Sequence, residues 1–126
     1  MSRHPPARRA KFRQAAFFYL HVAILYEATV WVLHAGGRLD PGRGPIALWL
    51  IAGAAVAGLV FWALWWKESI WVARVVWLIG ALRIPVVLEG AFLPDPDAAL
   101  APAFWYAALA VILVNLWLLA RAGWDL

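Results

Sequence analysis

Between Pro45 and Trp66 no side chain is ionisable, and none carries an amide or a hydroxyl. A soluble fold could place such a run only in a fully enclosed core. A bilayer accepts it directly, because about 20 apolar residues in a helix cross its hydrocarbon layer. The chain repeats the pattern. Apolar runs of this length cover approximately residues 15–34, 45–66, 69–92 and 102–122. Backbone polar groups in lipid must bond within the chain, and the runs lack the alternation of barrel strands, so each is expected to be a helix. The fold class expected is all-α integral membrane, a four-transmembrane-helix bundle. Residues 15–126 form the transmembrane domain, and residues 1–14 precede it as a basic cytoplasmic tail.

Composition supports the same reading. The chain has 126 residues, 66% of them hydrophobic, with two serines and one threonine. Ordinary soluble domains are about 45–50% apolar, so this chain lacks the polar groups to cover a soluble surface. It has no cysteine, which excludes a disulfide framework, a thiolate metal site and a cysteine nucleophile.

The breaks between runs carry turn chemistry. "HAGGRLDPGRGP" and "LPDPDAALAP" are rich in Gly and Pro, with Pro45 and Pro102 placed to open helices. "WWKES" is short enough for a tight hairpin. The Lys and Arg content of these loops sets the direction of the spans. Arg3, Arg8, Arg9, Lys11 and Arg13 precede the first span, Lys67 lies in the second loop and Arg121 ends the fourth span, while the opposite side has Arg38 and Arg43. Both termini are therefore expected in the cytoplasm. The bacterial inner membrane is the expected location. A basic start followed by an apolar run also fits a signal peptide, but the run exceeds the usual ~7–15 residues and Glu27 interrupts it. The segment is read as a retained span.

The basic residues Arg8, Arg9, Lys11 and Arg13 beside a first span are expected to contact anionic lipid rather than nucleic acid. In the second span, Gly53 and Ala57, and likewise Ala54 and Gly58, stand four apart, the spacing that lets helix backbones approach closely. Packing inside one bundle is the simpler account of these residues. A dimer seam is the other.

Ionisable groups at membrane depth are costly, by ~2.5–3.5 kcal/mol at the centre, and usually have a partner or a function. At 1.5 Å per residue, Glu27 and Arg83 each fall two or three residues beyond the middle of their spans, on the same side. Matched depth and opposite charge predict an intramembrane ion pair. His34 and Glu89 form a possible second pair nearer the membrane edge, if a kink at Pro85 turns both Arg83 and Glu89 towards the first helix. No complete catalytic set, zinc set or phosphate loop is present, so an enzyme is not the expectation. No cofactor is expected either. His21 and His34 invite a haem, but thirteen residues rotate the two imidazoles by about 220°, nearly opposite ways, and a haem would need a ligand from another chain.

The layout resembles the small multidrug resistance exporters, with Glu27 in the first helix, Trp77 in the third and Asn115 in the fourth. That resemblance implies a proton-coupled antiporter of four short helices, working as an antiparallel dimer through Glu27. The third span departs from the family: "WLIGALRIPVVLEG" lacks its small-residue stretch and carries Arg83. From the residues themselves the expected function is association, as an accessory or assembly subunit of a larger electron-transfer or transport complex. The expected partners are other membrane subunits and lipid. The small proton-coupled transporter is the alternative.

Overall fold

A computed structural model describes residues 4–37, 45–93, 95–97 and 100–126. All regular structure among them is α-helical: α1 Pro6–Ala35, α2 Ile46–Trp65, α3 Ile70–Leu82, α4 Ile84–Phe92 and α5 Pro102–Trp124. α1, α2, the α3–α4 pair and α5 supply four helical segments long and apolar enough to cross a membrane. Arg38 and Arg43, on which part of the charge asymmetry rests, lie outside the described residues.

Local chemistry explains most of the boundaries. α1 and α5 carry proline in their first turn, where the missing N–H has no helical partner to lose. Pro45 immediately precedes α2. Ser69 caps α3 by accepting the Val72 N–H at 3.3 Å. The α2–α3 hairpin turns through Glu68 at φ 49°, and α5 stops where Asp125 adopts φ 56°. The third span breaks at Arg83, whose N–H bonds back to Gly80 O at 3.2 Å in a tightened turn. Pro85 accounts for the break: it lacks an N–H for the Ala81 carbonyl and crowds the preceding turn.

The main difference from the sequence reading is at the start. The basic segment expected as a tail is helical from Pro6 onward, so no helix boundary separates residues 14 and 15. Phe12, inside that segment, is completely buried. At 1.5 Å per residue, the 30 residues of α1 are about 45 Å long, against ~30 Å of hydrocarbon. The helix is thus longer than a hydrocarbon layer is thick, and its first turns carry the arginines.

α5 is the hub. It packs along α1, α3 and α4, while α2 packs along α1 and touches α3 only slightly despite the short hairpin joining them. The densest core gathers Phe12, Ala15 and Ala16 of α1, Leu64 of α2, Ala73 of α3, and Leu119 and Ala122 of α5. These positions share the end of the bundle that holds both termini and the hairpin, here called the terminal end. Alanines let the helices come close there. Towards the loop end the buried apolar side chains are fewer, with Val30, Val87 and Ala91 among them. α4 and α5 meet closely at that end, where Gly90 lies under the Trp105 ring.

Candidate functional site

Glu27, Tyr26 and Arg83 collect where α1 faces α2 on one side and the α3–α4 break on the other. Glu27 is half-buried, and its carboxylate rests against Gly53 of α2. A Cβ at position 53 would collide with Glu27 Oε1, so the glycine makes room for the charge. Arg83 is exposed at the helix break, with its guanidinium 5.2 Å from the centre of the Tyr26 ring. Tyr26 adjoins Glu27 on α1, so Glu27, Tyr26 and Arg83 lie at a similar height in the bundle. The ion pairs among the described residues are Arg9–Glu68 at 3.4 Å and Lys11–Asp125 at 3.0 Å, and Glu27–Arg83 is not one of them. Depth fixes only one coordinate of a side chain. Consecutive helix residues turn by about 100°, so Tyr26 meets Arg83 while Glu27 turns to α2.

The same reasoning applies to the second expected pair. His34 is exposed beside Trp31, with ring centres 6.1 Å apart. Glu89 lines an open hollow with Gly90, Asp95 and Trp105, against α5 rather than α1. Once the helix restarts after Arg83, Glu89 belongs to the α5-facing side of α4. His34 and Glu89 form no ion pair among the described residues.

His21 donates from Nδ1 to its own Phe17 carbonyl at 2.8 Å. Among the described residues no three metal-ligating side chains converge. Asn115 of α5 is buried, and its side-chain oxygen has no hydrogen-bond partner among the described residues.

The small residues of α2 divide between two faces. Gly53 and Ala57 point inward, Gly53 against Glu27 and Ala57 buried. Ala54 and Gly58 are exposed, and nothing lies within 4 Å of a Cβ built on Gly58. Packing inside one bundle therefore accounts for the first pair and not for the second. Adjacent four-residue repeats differ by about 100° in direction, and one helix neighbour can use only one of them.

The basic residues proved to be structural in a way the sequence did not disclose. Arg8 donates from Nε and Nη2 to Ala122 O at 3.2 and 3.0 Å, and from Nη2 to Gly123 O at 3.3 Å. Arg74 donates to Gly123 O at 3.1 Å from the opposite side. These carbonyls end α5, where helical partners run out and the dipole is negative. Arg121 Nη1 reaches Gln14 Oε1 at 3.1 Å, and His4 Nε2 lies 3.1 Å from Glu68 O. Lys11 holds the Asp125 carboxyl below the usual carboxylate range, chiefly by its hydrogen bond. Of the four cations expected at anionic lipid, Arg8, Arg9 and Lys11 are thus engaged by protein. The available signal was that cations starting α1 and the carbonyls ending α5 fall at the same end of a four-span bundle.

No family model matches the sequence, and neither a curated protein nor a solved structure is detectably similar to it.

Proposed function

We propose that this chain works by association, as an accessory or assembly subunit of a larger membrane complex of the electron-transfer or transport type. In this reading it lies in the bacterial inner membrane with both termini in the cytoplasm, the side favoured by its Lys and Arg. The observation that carries it is the outward face of α2. That helix has no polar side chain and packs chiefly on α1, and its Ala54–Gly58 face is left open. Small residues without an internal neighbour are where another transmembrane helix can approach closely. The test is purification from native membrane in mild detergent. Another membrane subunit recovered in fixed stoichiometry supports the reading, and a partner-free monomer contradicts it.

A second reading, a small proton-coupled transporter, is favoured by one specific feature. The Glu27 carboxylate is half-buried against a glycine, with no cation paired to it among the described residues. A carboxylate so placed is available to exchange a proton. On that reading Glu27→Gln leaves the bundle folded and abolishes proton-coupled flux. On the association reading it leaves recovery of the partner unchanged.

A further inference from the structure

The described Lys and Arg residues of the terminal end divide into two groups. Arg8, Arg9, Lys11, Arg74 and Arg121 each bond to a carbonyl, a carboxylate or an amide oxygen of the chain. Arg13 and Lys67 do not, among the described residues. Both are exposed, and each rests on an indole of α2: the Arg13 guanidinium lies 5.3 Å from the Trp65 ring centre, and Lys67 Nζ lies 5.3 Å from that of Trp62. Trp62 and Trp65 are three residues apart, so their directions on α2 differ by only about 60°. The acid nearest in sequence, Glu68, is buried and turned to Arg9, so it does not neutralise Lys67. Trp66 adds a third, well-exposed indole beside Trp65, with ring centres 6.4 Å apart.

We infer that Arg13 and Lys67, seated on Trp65 and Trp62, form a binding site for the phosphate of an anionic phospholipid at the membrane surface. An indole face steadies a cation without occupying all its N–H donors, which remain free for phosphate oxygens. Tryptophan itself favours the level where headgroups meet acyl chains. The exposed apolar surface of α2, including Leu59 and Trp62, continues from this point towards the loop end and offers a track for the acyl chains. The site depends on the chain spanning a membrane and does not depend on the association reading.

Native mass spectrometry of the full-length protein released from detergent, with phosphatidylglycerol or phosphatidylcholine added, tests this. The wild-type chain should retain phosphatidylglycerol at least about tenfold more than phosphatidylcholine. Arg13→Gln with Lys67→Gln should remove that preference. Lys11→Gln with Arg121→Gln, which deletes two charges at the same end, should keep it, as should the charge-preserving exchange Arg13→Lys with Lys67→Arg. Tryptophan near-ultraviolet circular dichroism verifies that each variant is folded. Equal loss in both charge-deleting variants would reduce the effect to general surface charge and overturn the site. Retained preference in the Arg13/Lys67 variant would do so as well. Displacement of the lipid by millimolar inorganic phosphate would show a free-anion site and reject the phospholipid assignment.

Discussion

α2 and α5 are almost equally apolar, and each is long enough to span a membrane, yet they occupy opposite roles. α5 is packed by α1, α3 and α4, and it buries Asn115, Leu116, Leu119, Ala122 and Gly123. α2 rests chiefly on α1 and buries Ala57 and Leu64. Apolarity is needed equally by a helix that faces lipid and by one that faces protein, so it cannot separate them. The polar details can. The end of α5 is held by Arg8 from α1 and Arg74 from α3, which ties three helices together at one set of carbonyls. α2 meets polar groups differently: Glu27 rests against Gly53, and Arg13 and Lys67 lie over the Trp65 and Trp62 rings.

If α5 is the hub, truncating its buried side chains should be far costlier than truncating those on the open side of α2. Leu119→Ala creates a cavity at a wholly buried position and should destabilise by about 2–5 kcal/mol. Leu59→Ala, at a position 66% exposed, should stay within about 0.5 kcal/mol. Thermal unfolding in detergent compares them, and similar losses would erase the distinction between hub and rim.

The arginine bracket should come next in size. Arg8→Gln strips Ala122 O of its arginine, leaves Gly123 O with Arg74 alone and should cost about 1–3 kcal/mol, typical for losing hydrogen bonds to a charged group. Adding Arg74→Gln should cost more than the sum of the two single changes, because Gly123 O, which the two share, is then left with neither arginine. Urea unfolding of the single and double variants reads this coupling, and strict additivity would mean that the two arginines act separately.

The smallest effect belongs to Lys11 and Asp125, an exposed pair. The folded-state pKa of Asp125 is lowered, so its contribution is present above the ordinary carboxylate range and is lost as pH falls through the lowered value. Asp125→Asn should flatten that part of the acid dependence. The difference between the variant and the wild type should shrink in high salt, where exposed charges are screened. Melting temperatures between about pH 2 and 6 provide the measurement.

The sequence carried the number of long apolar helices and the break near Pro85, because apolar run length and proline chemistry act locally. It misjudged the start of α1. Arginine and proline there read as a tail, while Phe12 and Ala15 were already core, and only the tertiary structure supplies the helices that bury them. Depth reasoning assigned Glu27 and Arg83 similar heights and left their rotation open, and it is Tyr26 that meets the guanidinium. The small-residue pairs of α2 were visible at once. Which pair faces the bundle depends on where α1 lies, and no pattern within α2 contains that information.

The two faces of α2 offer the most direct test of the whole account. Gly53→Leu drives a side chain into Glu27 and the α1 contact, whereas Gly58→Leu projects into open space. Both variants would be taken through thermal unfolding and through recovery of the proposed partner subunit from native membrane. The account predicts that Gly53→Leu lowers the melting temperature, while Gly58→Leu melts like the wild type and loses the partner. A Gly58→Leu chain that retains its partner, or that unfolds as readily as Gly53→Leu, would contradict the assignment of one face to the fold and the other to association.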